Sequence, residues 1–197
     1  MKFYINKNRR CAQTAIKSVI EENISFEKLD KLTGREGNQI TTLPQIAYCL
    51  DKLGVKFIYP VKPLFVFKQK IDLKKFGRQL GNDNYKRINF DSLEESISKL
   101  KEFKKYFLTN NFGLNDIEQE IRNNKIPICL INYDIFVGRE NNYNGHYIII
   151  HEIEEDYSQI MDSGPCGASP NKKISRKRLE DSLMQTPIDY GVIALPA

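Results

Sequence analysis

Few side chains here can do nucleophilic or acid–base chemistry near neutral pH: four cysteines (Cys11, Cys49, Cys129 and Cys166) and two histidines (His146 and His151). A thiolate beside an imidazole can open an acyl bond, and a carboxylate behind the ring fixes its tautomer and supports the imidazolium. Both histidines lie in HYIIIHEI. A strand alternates its faces, so their odd separation sends them to opposite sides of a sheet, where they cannot chelate one metal together. Glu154, Glu155 and Asp156 mark a turn, so HYIIIHEI and YSQIMD fold back as a hairpin. That brings Asp162 or its neighbours roughly opposite His146, where facing Cβ atoms stand about 5 Å apart.

Cys11 falls where loop becomes helix. Its sulfur there meets unpaired backbone N–H groups and the positive end of the helix dipole, and Lys7, Arg9 and Arg10 add positive potential. These effects favour thiolate over thiol, whose free pKa is about 8.5. The competing reading is that Cys11 only begins an apolar stripe. Cys166, in the turn SGPCGAS, is the rival nucleophile, a few residues beyond Asp162. Cys49 within an amphipathic helix and Cys129 within an apolar strand read as core. No CxxC pair occurs, so neither a zinc knuckle nor a thioredoxin motif is expected, and no metal site or cofactor is called for.

The elements that must hold these residues are legible in part. CAQTAIKSVIEE places Cys11, Ala12, Ala15, Ile16, Val19 and Ile20 on one stripe. Ser25 and Gly34 cap a second helix, and the box Thr42-x-x-Gln45 opens a third that Gly54 stops. VKFIYPV reads as a strand from Val55. A short helix from Asp72 and a GNDN loop (Gly81 to Asn84) follow. Asp91-x-x-Glu94 opens a helix with Leu93, Ile97, Leu100, Phe103 and Phe107 along one side, and Asn115-x-x-Glu118 opens another through Arg122. Then KIPICLINY, HYIIIHEI, YSQIMD and YGVIALP read as strands, with a helix from Ser175 to Leu183 between the last two. Helices first and an antiparallel sheet afterwards argue an α+β fold in a single domain spanning 1–197.

Composition sets the outer bounds. Across 197 residues, 41% hydrophobic and 28% charged residues describe an ordinary globular chain with a core to bury. The longest apolar runs are a few residues, far short of a membrane span. MKFYINKNRR has no apolar signal core, so a cytoplasmic, soluble protein is expected and a disulfide framework is not. The net charge is +5, with one basic cluster at Lys172, Lys173, Arg176, Lys177 and Arg178. No aromatics are interleaved there, so the cluster reads as the solvated start of a helix and nucleic acid as an unlikely partner.

The order of these parts resembles the papain-like cysteine peptidases: a cysteine opening the first helix, a helical region, Gly145-His146-Tyr147 starting a strand, then Asp162-Ser-Gly-Pro165. It is most similar to the family that processes double-glycine bacteriocin leaders and to its stand-alone relatives. The helix Thr42 to Leu53 with Gly54-Val55 and the strand NKIPICLINY resemble the family too, while the resemblance does not cover residues 64–120. The resemblance implies Cys11 as nucleophile, His146 as general base and acid, Asp162 as its orienting residue, a peptide or protein substrate and no cofactor. It also implies an oxyanion glutamine about six residues before the cysteine. Ile5 stands there instead; Asn6 is the nearest amide, with Asn8 and Gln13 further choices. The family's glycine after the cysteine is Ala12. A cysteine hydrolase is therefore expected, the alternative being a papain-like fold kept as a binding or regulatory module.

Overall fold

The computed structural model describes residues 1–20, 23–61, 86–102, 106–108, 113–139, 143–164, 167–184 and 192–196. Cys166 and Pro165, the helix expected from Asp72, the GNDN loop and Phe103 lie outside them.

Three helices come first: α1 (Cys11–Val19), α2 (Phe26–Thr33) and α3 (Leu43–Lys52). Ser25 Oγ accepts the Lys28 N–H at the start of α2, and Gly34 ends it at φ 65°. At α3 the expected box forms, the Gln45 side chain reaching back to accept the Thr42 N–H at 2.8 Å. After β1 (Tyr59–Val61) come α4 (Phe90–Glu102) and β2 (Tyr106–Leu108). Two start signals are corrected here. Asn89, not Asp91, caps α4 by accepting the Ser92 N–H. In α5 (Leu114–Arg122) Asp116 accepts the Gly113 N–H, while Glu118 pairs with Arg122 and Arg176. Phe107, placed on a helix by its spacing, sits in β2 because Tyr59–Val61 offers a parallel partner for Tyr106–Leu108. The expected strand from Val55 is confined to those three residues.

The second half holds β3 (Lys125–Asn132), α6 (Tyr133–Phe136), β4 (Gly145–Ile153), β5 (Tyr157–Asp162), β6 (Ser169–Ser175), α7 (Arg176–Met184) and β7 (Val192–Pro196). Among the described residues these strands form an antiparallel sheet in the order β6-β5-β4-β3-β7. Strand β6 was not expected: its SPNKKIS reads as polar turn and helix start, yet pairing along β5 draws it into the sheet.

The sheet is covered on both faces. Ala12, Ala15 and Ile16 of α1 and Ile46, Ala47 and Leu50 of α3 pack on Ile128, Leu130, Tyr147, Ile149 and Met161. Leu114 and Ile117 of α5 and Leu179 and Leu183 of α7 pack on Cys129, Ile131, Ile148, Ile150 and Ile160 from the other side. Double coverage explains why PICLI and YIII are continuous apolar runs, since neither face of β3 or β4 meets water. Cys49 and Cys129 are core residues, as expected.

Gly34 joins the helices. A Cβ there would lie 1.9 Å from Ser92 Oγ of α4, while that hydroxyl donates to Thr33 O and accepts from Gln45 Nε2. Gly34→Ala combines a left-handed backbone with a clash that α4 must absorb. We expect it to lower stability by about 2–4 kcal/mol, read as a fall in the midpoint of chemical denaturation.

Candidate active site

Cys11 is the first residue of α1, and the chain reaches it through a strained turn. Asn8 and Arg9 both stand at positive φ, 58° and 57°. Asn tolerates that region, but an arginine there costs roughly 1 kcal/mol or more. Buried Arg35 holds the turn: its Nη2 donates to Asn8 O at 2.8 Å, its Nε to Gln39 O at 3.0 Å, and its Nη1 pairs with Asp30 at 3.3 Å. Asn6 finishes the approach by accepting the Arg10 N–H on Oδ1 at 2.7 Å and donating its own N–H to Ser163 O at 2.8 Å. The loop before the cysteine is thus tied to the segment after Asp162.

Asn6 keeps its Nδ2 free of hydrogen bonds among the described residues, and the Cys11 N–H has no acceptor within the helix because it opens the first turn. Gln13, a further amide considered for the oxyanion, is excluded. It is buried, and its Nε2 donates to Thr33 and Thr41 at 2.9 and 2.8 Å, tying α1 to α2 and to the approach to α3. Ile5 is 57% exposed and contributes no polar group.

His146 Nε2 lies 3.0 Å from Asp162 Oδ1, and Lys172 Nζ lies 2.8 Å from Oδ2 of the same carboxylate. The Gly164 N–H also donates to Oδ1, at 3.0 Å. His146 packs edge-on to the Tyr133 ring, with centroids 4.9 Å apart. With Nε2 occupied, Nδ1 is the ring nitrogen left for the sulfur, and His146 and Cys11 are within hydrogen-bond reach.

A β-bulge makes this row. Near the turn Ile153 pairs with Ser158 and Glu152 with Gln159; beyond it Ile150 pairs with Ile160 and Ile149 with Met161. His151 is the extra residue. Without it the turn register would carry on to set Asp162 against Ile149, on the sheet face away from His146. With it Asp162 comes level with Ile148, on the His146 face. The expected hairpin therefore forms, but Asp162 is diagonal to His146, not directly opposite. The two histidines do face apart: His146 lies with Ile148 and Ile150, and His151 sits on the bulge with Nε2 buried and unbonded.

Lys172 was read from sequence as helix-start solvation, and that reading is corrected. It lies in β6 opposite Ile160, so alternation turns it toward Asp162 and over the Phe136 ring at 5.0 Å. Lys173 points the other way, over Tyr157 at 3.4 Å. Arg176 binds Glu118 and Asn115, and Lys177 pairs with Asp181. The basic cluster is dispersed. The one available signal was the alternation of SPNKKIS beside a partner strand.

The electrostatics follow from burial and pairing. Burial raises the Cys11 thiol, but the His146 hydrogen bond and charge, with the N–H groups of Tyr147 and Ala12, outweigh it and hold the thiol below its ordinary value. Burial opposes the His146 cation, yet bonds to Asp162 and Cys11 raise it to about 9. Asp162, with no exposed surface, is pushed up by burial and brought down further by His146, Lys172 and Gly164. These pairings favour the charged form of each group in the row, thiolate at Cys11, imidazolium at His146 and carboxylate at Asp162. Such a row can deliver a nucleophile and a proton to one carbonyl. Among the described residues no cluster able to hold a metal ion occurs, and no helix is long and apolar enough to cross a membrane.

The sequence matches no family model, and comparison with curated protein sequences finds no match. Solved structures do match. One is the peptidase domain of Streptococcus ComA, described as a bi-functional ABC transporter involved in a quorum-sensing pathway; its TM-score is 0.51 at 14% identity, over 98% of this chain and 96% of that one. Another is a Bacillus anthracis protein described as a C39-like peptidase, with a TM-score of 0.57 at 9% identity, over 98% and 94%. At such identities the likeness is one of fold: this chain has the α+β fold of papain-like peptidase domains.

Two outcomes are expected. Iodoacetamide should label Cys11 at pH values where an ordinary thiol is protonated, and His146→Ala should return its profile to a single titration near 8.5. Cys49, pushed up to about 12 by burial, should stay unlabelled in the folded protein when adducts are located by mass spectrometry. The second concerns His146, followed by NMR of a chain with only two histidines. Asp162→Asn removes the anion that favours its cation and should lower its pKa by about one unit or more. Lys172→Met removes an opposing cation and should raise it. A merely structural lysine would leave that titration unmoved.

Proposed function

We propose that the protein is a cysteine hydrolase that cleaves a peptide or amide bond through a thioester, acting as one papain-like domain over 1–197 in the cytoplasm. The observation that carries this reading is an imidazole held at 3.0 Å by the fully buried Asp162, with Cys11 at the start of α1 near enough for thiol and ring to favour each other's charged forms. The Cys11 thiolate adds to the carbonyl carbon. The developing oxyanion faces the Cys11 N–H, with Asn6 Nδ2 as second donor. As the tetrahedral intermediate collapses, the C–N bond breaks and His146 gives its proton to the leaving amine. His146 then takes a proton from water, whose oxygen attacks the thioester; the C–S bond breaks, releasing the acid and restoring the thiolate–imidazolium pair. Asp162 keeps the ring in place through both proton transfers, and Lys172 holds the second oxygen of that carboxylate as a positioning residue. No step needs a metal or cofactor. An amine in place of water would turn the same thioester to acyl transfer.

A second reading, a binding module without turnover, is favoured by Ile5. An exposed isoleucine beside the nucleophile loop replaces a hydrogen-bond donor with an apolar contact.

A peptide library separates the two. The hydrolase should yield shortened peptides and a transient acyl adduct on Cys11 by intact-protein mass spectrometry, both lost in Cys11→Ala. Asn6→Ala should slow turnover by about 10²–10³ if its amide completes the oxyanion site. Peptide retained unchanged, and equally by Cys11→Ala, would sink the hydrolase and support the module.

A further inference from the structure

The rim beside Cys11 carries more positive charge than its acids neutralise. Arg10 and Arg35 share one carboxylate, Asp30, and Glu27 approaches only Arg10, at 3.9 Å. Arg9, two residues before the nucleophile, is exposed and makes no hydrogen bond or ion pair among the described residues. Arg87 is fixed by its Nε to Asn38 O at 2.8 Å, on the 34–40 loop from which Arg35 grips Asn8. The Arg87 carbonyl accepts the Ile40 N–H at 2.9 Å, locking both chains side by side. Glu36, the carboxylate on that loop, makes no ion pair with any of these arginines, and neither Arg9 nor Arg87 has an acidic partner among the described residues. Lys7 adds a further cation at the loop's exposed end. The hydrogen bonds that join Arg87 to the 34–40 loop and that loop to Asn8 bring these segments together. In keeping with them, burial and then Arg9 oppose the charge on Arg87, the Cys11 thiolate favours it and Arg35 opposes it.

We propose that Arg9 and Arg87 form a cationic subsite beside Cys11 for a carboxylate of the peptide substrate. The inference rests on the hydrolase reading and adds a substrate class to it. Two unpaired guanidiniums that repel each other gain from an anion between them, and a guanidinium grips a carboxylate through two parallel N–H donors. The turn holds the exposed Arg9 in the left-handed region, where glycine would satisfy the backbone more cheaply.

The test uses two pairs of affinity labels, each differing by one carboxylate: bromoacetyl-glutamic α-amide against bromoacetyl-glutamine amide, and bromoacetyl-glycine against bromoacetyl-glycinamide. Both members of a pair meet the same thiolate, so the ratio of their Cys11 alkylation rates cancels changes in thiolate population. We expect Arg9→Gln and Arg87→Gln each to lower the acid-to-neutral ratio by about three- to tenfold, while Arg87→Lys retains most of it. The pair with the larger loss assigns the carboxylate to a side chain or to a chain end. Should Arg87→Gln fail to fold, Arg9→Gln and the decline of the wild-type ratio with salt carry the same test. Ratios unmoved by the substitutions, with Cys11 labelling still dependent on His146, would overturn the subsite and leave the hydrolase reading standing. Labelling indifferent to His146 would instead overturn the hydrolase reading.

Discussion

Asp162 has no exposed surface, and an ionised carboxylate in such a place must be paired on both oxygens or give up its charge. Bare burial of an ion costs several kcal/mol, and here the cost is offset from three directions. His146 and the Gly164 N–H take one oxygen, and Lys172 takes the other. Each partner comes from a different stretch of chain, so the carboxylate ties β4, β6 and the turn after β5 into one arrangement. The imidazole is in turn packed against Tyr133, itself buried at the start of α6. The ring can neither swing away nor exchange its tautomer without taking one of three partners from that charge.

The nucleophile is held from the opposite side of the fold by a different device. Arg35 is a buried cation whose donors reach Asp30, Gln39 and Asn8, closing α2, the following loop and the N-terminal turn around one guanidinium. Two consecutive residues in the left-handed region persist because this grip and the Asn6 bonds over-determine them. The strain presents the sulfur at the N-terminus of α1, where Tyr147 and Ala12 N–H groups meet it. Thiolate and imidazolium favour each other, and together with those N–H groups and Asp162 they outweigh the burial that penalises both. Among the described residues a single aspartate serves both Arg10 and Arg35, while Arg9 and Arg87 have no acidic partner.

Much of this was written in local chemistry. The Cys11 stripe, the Ser25 and Thr42 caps, the Gly34 stop and the apolar strands follow from period, capping and propensity, which act over a few residues. Candidate chemistry-bearing residues could be named from sequence because so few histidines and cysteines exist to choose among. Where local signals misled, a distant partner had overruled them. Asn89 took the cap that Asp91 would have supplied, Phe107 joined a strand because Tyr59–Val61 lies beside it, and SPNKKIS became a strand because β5 had a free edge.

Sequence alone determined that a cysteine opens a helix, that a histidine lies on a strand and that an aspartate lies past a hairpin turn, because these are facts of order and short-range geometry. It could not decide on which face Asp162 would emerge. One extra residue, His151, in a bulge between β4 and β5 turns the carboxylate from the Ile149 side of the sheet to the His146 side. Nor could it assign Lys172 to that carboxylate, Gln13 to the scaffold or Asn6 to the loop clamp, for these depend on strand register and on chains that meet only after folding. Register flips faces with each residue slipped, so it is settled by the packing of the whole sheet and by no stretch of sequence within it.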